Sequence, residues 1–291
     1  MGIVLTVAGI VVIVTGLQDM FHTLLHPSGK GHLSRLVLAG IWSVSKATGH
    51  RLGSAVGPAA MTVVVVLWVA LQGAGWALVY YPHLPGGFTY SAGINPADYS
   101  PAAEAVYVSF VTLGTLGFGD VVATNHWIRL ASPFEALTGF ALLTAALTWF
   151  TQIYPPLSRR RALALEIKGL ADVGYAGHLG AVDPATASRV LDGLAANVGK
   201  IRIDFTQYPE GFYFQEEDPD LSLARQLPYL LKLRDDAIGH KELDVRLSGE
   251  QLSLALEQLT TKLKNDFLGS GEDPGQVIAA YAAAHGQTPR T

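Results

Sequence analysis

The chain has 291 residues, with 20 Lys and Arg against 24 Asp and Glu, and is 49% hydrophobic but only 15% charged. That charged share is well below the roughly 25% of an average soluble domain, and the net charge of −4 excludes the basic surface that a general nucleic-acid binder needs. The absence of cysteine excludes disulfides, thiolate catalysis and cysteine-ligated zinc. The charges are unevenly placed. Residues 1–155 hold Asp19, Lys30, Arg35, Lys46, Arg51, Asp98, Glu104, Asp120, Arg129 and Glu135, and the other 34 follow. The first half therefore reads as membrane-embedded and the second as soluble.

In chain order, the uncharged run Gly2 to Gln18, continuing through Leu24 and Leu25, predicts a spanning helix with Asp19 and His22 near its inner end. It lacks the basic start and small-residue cleavage site of a signal peptide. Leu33 to Ala47 mixes Leu36, Val37, Ile41, Trp42 and Val44 with Arg35 and Lys46, the pattern of a helix lying along the inner interface. Its charges are too few and irregular for a voltage sensor. Ala59 to Tyr81 predicts the second span, inside a stretch from Leu52 to Ala97 without any charge. Ala102 to Leu113 is apolar but too short to cross, so it predicts a re-entrant half-helix that begins and ends on the outer side. Ser132 to Tyr154 predicts the third span, closed by Pro155 and Pro156.

Lys30, Arg35, Lys46 and Arg51, and again Arg159, Arg160 and Arg161, flank these spans, whereas His83 to Pro101 carries no Lys or Arg. The positive-inside rule then predicts a multi-pass protein of the cell membrane with its amino terminus outside and its carboxy-terminal half cytoplasmic. Arg159 to Arg161 are also placed to meet anionic lipid headgroups. Asp19, His22 and His26 share one helix face at i, i+3 and i+7. They are the candidates for a metal or pH-sensing group, although a polar inner helix end is the favoured account.

The soluble half reads as helical. Ala162 to Gly174 is periodic, Asp183 and Pro184 open a helix to about Val198, and Leu221 to Ala237 forms another, interrupted near Pro228. Ser248 with Gln251 predicts a capping box opening a helix to Leu268, and Asp273 with Pro274 starts a last one through Ala284. The aromatics of Tyr208 to Asp220 are expected to pack between helices. No G-x-G-x-x-G unit or β-roll pattern marks a nucleotide module here, and no ligand for this half is implied. The expected fold is an all-α membrane protein in three parts: an N-terminal helix with its interfacial segment (1–56), a central module (57–155) and a helical cytoplasmic domain (156–291).

The chemistry lies in Thr115-Leu116-Gly117-Phe118-Gly119-Asp120, directly after the half-helix. A dehydrated monovalent cation must be given back the oxygens it loses from water. A short extended loop does this when successive backbone carbonyls point at one axis. Alternate residues must then adopt angles open mainly to glycine, which accounts for Gly117 and Gly119. Thr115 adds its hydroxyl at the inner end, and Leu116 and Phe118 are expected to pack behind the loop. The spacing of Gly114, Gly117 and Gly119 is wrong for a phosphate-binding fingerprint.

These residues resemble the pore of the potassium-channel family, specifically its two-transmembrane module, whose signature T-V/I-G-Y/F-G-D follows a short pore helix. Leu116 is the one change inside the signature. Arg129 and Gly139 stand ten and twenty residues after Gly119, where many members keep a basic residue and the glycine hinge of the pore-lining helix. The resemblance covers about residues 58–154. It implies passive, potassium-selective conduction with no enzymatic activity and no cofactor, K+ being the permeant ion. A homotetramer is implied, because one loop cannot encircle an ion. The filter residues would be Thr115, Leu116, Gly117, Phe118 and Gly119, with Asp120 at the mouth and Glu135 and Gly139 as filter support or gate. Gly114 replaces a common threonine, Val111 a carboxylate found in some members, and Phe118 a tyrosine. The filter is therefore expected to be held more by packing than by hydrogen bonds. The alternatives are a non-selective cation channel and a non-conducting receptor or scaffold with a pore-like fold.

Overall fold

The computed structural model describes residues 1–26 and 31–290, so Lys30 lies outside the described residues. The chain packs as two compact units, Met1–Val37 with Met61–Thr151 and Leu38–Ala60 with Gln152–Thr291. It is an all-α fold with a single pair of short strands among the described residues. Among the described residues, three stretches are long and apolar enough to cross a membrane: Gly2–Leu24, Gly53–His83 and His126–Asp172, with mean hydropathy of 2.0, 2.1 and 1.4.

The first unit contains α1 (Gly2–Leu24), the start of α2 (His32–Ala47), most of α3 (Val56–Tyr80), β1 (Phe88–Tyr90), α4 (Pro101–Leu113), β2 (Val121–Ala123) and α5 (His126–Gln152). Each span forms where the expected apolar run lies. α4 starts at Pro101 because Ser100 caps it, its hydroxyl accepting the Ala103 N–H at 3.2 Å, and because proline suits the first helical turn. β1 and β2 are antiparallel, with Phe88 opposite Ala123 and Tyr90 opposite Val121. The core gathers Ile13, Trp76, Val79, Tyr80, Phe88, Val108 and Ile128.

α1 meets α3 backbone to backbone. A Cβ on Gly9 would stand 2.5 Å from the Gly75 carbonyl oxygen, and one on Gly75 would stand 2.6 Å from Ile13 Cγ1. This is the small-residue contact that lets membrane helices approach closely. Lower on the same seam, Gln72 Nε2 donates to the Ile13 carbonyl at 3.1 Å and Trp68 Nε1 donates to Asp19 Oδ2 at 2.9 Å. Asp19 also accepts the Leu33 N–H at 2.7 Å and the Ser34 N–H at 3.2 Å, as well as the Ser34 hydroxyl. Its buried carboxylate therefore caps the start of α2, where unpaired N–H groups and the helix dipole favour an anion. The metal reading of Asp19 with His22 and His26 gives way to this cap. The His22 and His26 rings lie 5.2 Å apart, and no group of three His, Asp or Glu among the described residues is suited to a metal.

The second unit contains α6 (Tyr154–Asp172), α7 (Tyr175–His178), α8 (Pro184–Gln207), α9 (Leu223–Gln226), α10 (Pro228–Ile238), α11 (Leu243–Leu263) and α12 (Pro274–Ala284). α8 and α11 form its centre, burying Leu191, Leu194, Val198 and Ile201 along with Leu252, Leu256, Leu259 and Leu263. Several expectations shift. Pro155 and Pro156 fall in the first turn of α6, where a missing N–H breaks no helical bond, so they start a helix as well as end one. α8 runs past Val198 to Gln207. Ser248 is no cap: α11 begins at Leu243 and Ser248 is buried within it, next to Gly249, where a Cβ would stand 2.8 Å from that of Ala237. Asp273 does cap α12, accepting the Gln276 N–H at 2.9 Å.

The aromatic segment packs inward, Phe212 stacking on Phe267 with centroids 4.3 Å apart. Trp42, expected at the membrane interface, is buried against Phe212, Tyr213, His50 and His285, with ring centroids 4.9–6.0 Å away. Leu38–Ala60 consequently belongs with the carboxy-terminal residues rather than with α1. Arg160 is buried too, donating to the Gly211 carbonyl at 2.7 Å and the Phe214 carbonyl at 2.9 Å, which removes it from contact with lipid headgroups. Arg159 and Arg161 pair with Asp204 and Glu216.

His285 is only 4% exposed and its Nε2 has no hydrogen-bond partner. Burial first, then the charges of Arg160, His50 and Lys46, hold its pKa well below 6.5. His50 is lowered as well, chiefly by burial. The unfolded chain therefore binds more protons than the folded one below about pH 6.5, so stability is full above that pH and falls beneath it, by up to about 1.4 kcal/mol per pH unit for the buried His285 and by less for the partly exposed, solvent-screened His50. Melting of the second unit should move down between pH 7.5 and 5.5, and His285→Phe should flatten the dependence. An unchanged slope in that variant would remove His285 from the account.

Candidate functional site

α4 has 13 residues, a length of about 20 Å against the roughly 30 Å of a membrane interior. Its carboxy-terminal carbonyls, the negative end of its dipole, lead into the Thr115–Asp120 loop. Within that loop Thr115, Gly117 and Gly119 have φ of 55°, 55° and 76°, while Leu116 and Phe118 do not have positive φ. Alternation in the sign of φ turns successive carbonyls toward a common side, which is the arrangement that coordinating a bare cation requires. The two glycines stand where expected. Thr115, a non-glycine residue in the left-handed region, was not legible in the residue types.

Both ends of the loop are tied down. At its entry, Thr115 N–H donates to the Thr112 carbonyl and Leu116 N–H to the Val111 carbonyl, each at 2.9 Å. At its exit, Ser91 N–H donates to the Asp120 carbonyl at 2.8 Å and the Ser91 hydroxyl to the Gly119 carbonyl at 3.2 Å. The Asp120 carboxylate accepts the Tyr107 hydroxyl and, at 3.0 Å, the Val121 N–H. Hydrogen bonds therefore hold both ends of the loop, where packing was expected to dominate, and within one chain the loop's apolar side chains are left uncovered. Leu116 and Phe118 are 58% and 64% exposed, and a cavity of about 500 Å³ lies among Phe118, Val108, Ile128 and Pro133. Val111 is indeed no partner for Asp120; the donor is Tyr107, one helical turn earlier. Beside it, burial and the neighbouring Glu104 push the Tyr90 hydroxyl up to about 12.

Glu135 and Gly139 lie on α5 against the half-helix. Glu135 is fully buried and accepts the Tyr80 hydroxyl from α3. Its Oε1 lies 2.6 Å from the Ser109 hydroxyl of α4. Gly139 abuts the end of α4, where a Cβ would run into the Leu113 carbonyl. α5 is helical through both positions, and in this conformation Gly139 serves close packing. Arg129 lies in the first turn of α5, its N–H donating to the Asn125 carbonyl at 3.0 Å.

Comparison with known proteins falls on this same region. The family model described as an ion channel matches residues 63–154. A protein named uncharacterized membrane protein YdjJ, from Bacillus subtilis (strain 168), is 26% identical over 172 residues, covering 58% of this chain and 49% of that protein. Two pore potassium channel c from Oryza sativa subsp. japonica is 37% identical over 71 residues, covering 24% of this chain and 15% of the plant protein. The chain thus spans half or less of the curated relatives it matches. No solved structure matches significantly. The similarity is to a channel module rather than to an enzyme, and it coincides with α3, the half-helix, the loop and α5 of a membrane protein.

Proposed function

We propose that the chain is a potassium-selective channel that conducts K+ passively through a pore of four identical subunits, without a voltage sensor of its own. The observation that carries this reading is the alternation of φ at Thr115, Gly117 and Gly119 in a loop that follows a half-helix between two spans. The carbonyls of Thr115 to Phe118 would replace the ion's hydration shell, Gly117 and Gly119 would permit their geometry, and Asp120 would shape the mouth. A single loop supplies one wall of such a path, and the exposed Leu116 and Phe118 side chains need backing that a neighbouring copy would supply. The pore module is residues 57–155, flanked by the N-terminal segment 1–56 and the helical domain 156–291. It sits in the cell membrane with the amino terminus outside and the helical domain in the cytoplasm, an orientation supported by Arg35, Lys46 and Arg51 on one side and a loop without Lys or Arg on the other.

Phe118 favours potassium over a non-selective path, because an apolar ring holds its carbonyl where a polar or acidic residue would disturb it. Liposomes loaded with K+ and diluted into Na+ medium provide the test. Purified protein should release K+ at least about tenfold faster than the same liposomes loaded with Na+ release theirs, a ratio equal to about 1.4 kcal/mol of discrimination. Equal rates would favour the non-selective reading, and no release would favour the receptor or scaffold reading.

A further inference from the structure

We infer that Glu135 and Gly139 form a two-point latch on the half-helix α4, with Glu135 as the residue that positions the loop through Ser109. This rests on the channel reading for its consequence, but the latch itself is argued from packing. The two contacts are in register. Glu135 meets Ser109 and Gly139 meets Leu113, so each helix advances four residues, about one turn, between one contact and the next. The upper contact is polar and directional. The lower is steric, with a backbone carbonyl lying where any side chain on residue 139 would have to go. Sliding α4 along α5 would lengthen the first contact and compress or open the second, so the pair defines one axial position.

Glu135 is itself held. Its second oxygen accepts the Tyr80 hydroxyl, which brings α3 into the same junction, and the Ser109 hydroxyl also lies 2.9 Å from the Gly73 carbonyl of α3. Close by, a Cβ on Gly73 would stand 2.8 Å from Phe110 Cζ, so the Phe110 ring of α4 lies directly on the α3 backbone. Tyr80, Ser109 and Glu135 are all fully buried. A carboxylate at this depth is expensive unless its oxygens are satisfied, and an ionisable residue inside a membrane helix is a functional candidate for that reason. What it positions is the last turn of α4: Val111 and Thr112 accept the N–H groups of Leu116 and Thr115, so a shift of that turn passes directly to the loop.

The test reads the loop first and conduction second. In detergent-solubilised protein, Glu135→Leu should speed amide hydrogen exchange at Thr115 and Leu116 by at least about tenfold. Glu135→Gln should leave it near the parent rate, because the amide oxygen still accepts from Tyr80 while its NH₂ donates to Ser109 and Ser109 turns to Gly73. Gly139→Ala should act like Glu135→Leu. Should Glu135→Leu fail to fold, Ser109→Ala carries the same test, with an intermediate increase expected. Unchanged exchange in the folded leucine variant, or equal increases for leucine and glutamine, would overturn the latch. In liposomes the leucine and Gly139→Ala variants should lose at least about tenfold in K+ over Na+ preference while the glutamine variant keeps it. A parent protein that conducts nothing would sink the channel reading alone, since the exchange result stands apart from flux.

Discussion

Gly117→Ala should reduce K+ flux by at least about a hundredfold in liposomes while the protein still folds and assembles. Space does not drive the effect, since a Cβ at this position meets nothing within 4 Å. The backbone does: Gly117 has φ 55°, where an L-residue costs about 1–2 kcal/mol. In the proposed pore of four copies this would come to about 4–8 kcal/mol on one ring of carbonyls, against the roughly 1.4 kcal/mol that changes a rate tenfold. Thr115 sits in the same region at a tolerated cost because its N–H is bonded to Thr112. Gly199→Ala is the matched control. It also meets open space, but within α8, where alanine is favoured over glycine by about 0.5–1 kcal/mol, so stability should rise slightly and flux should not change. Parent-like flux from the Gly117 variant would mean that the loop does not line the ion path.

Asp19→Ala should lower stability by about 3–5 kcal/mol, the largest single loss expected in the first unit. Removing the carboxylate leaves the N–H groups of Leu33 and Ser34, the Ser34 hydroxyl and the Trp68 indole N–H without their acceptor. Each buried donor left unpaired costs about 1–3 kcal/mol, and breaking a buried charged partnership from one side costs 3–5. The consequence is structural: α1, the start of α2 and α3 share this one carboxylate, so its loss frees all three. Asp19→Asn keeps one acceptor oxygen and should fall between. The measurement is the melting temperature in detergent, followed by tryptophan fluorescence. An alanine variant that melts with the parent protein would show that the cap adds nothing to stability.

Local sequence carried much of the architecture. The spans, the half-helix and the positions of Gly117 and Gly119 follow from apolar run length and from the backbone angles that glycine allows. These are properties of a residue and its immediate neighbours. Pro155 and Pro156 close α5, as expected, and also open α6, because a proline forbids the helix before it and suits the one after it, and local sequence does not show that a second helix follows so closely. Ser248 departs from its expected capping role for a similar reason: a capping pattern is short enough to occur inside a helix, here one that starts at Leu243.

Tertiary structure alone decided the partnerships. Asp19 meets Leu33 across 14 positions and Trp68 across 49. Glu135 meets Ser109 across 26 and Tyr80 across 55. Trp42 leaves the interface to pack against Phe212 and His285. Composition and periodicity tell which face of a helix is apolar, but they carry no information about which distant helix will cover it or at what height. By itself the sequence determined that this is a membrane protein with a glycine-bearing loop after a half-helix between its second and third spans. Helix packing determined what holds that loop: Tyr107 on Asp120, and Glu135 with Gly139 on the half-helix. Hydrogen bonds and backbone approach act over about 3 Å, and only the folded chain brings such groups within that range.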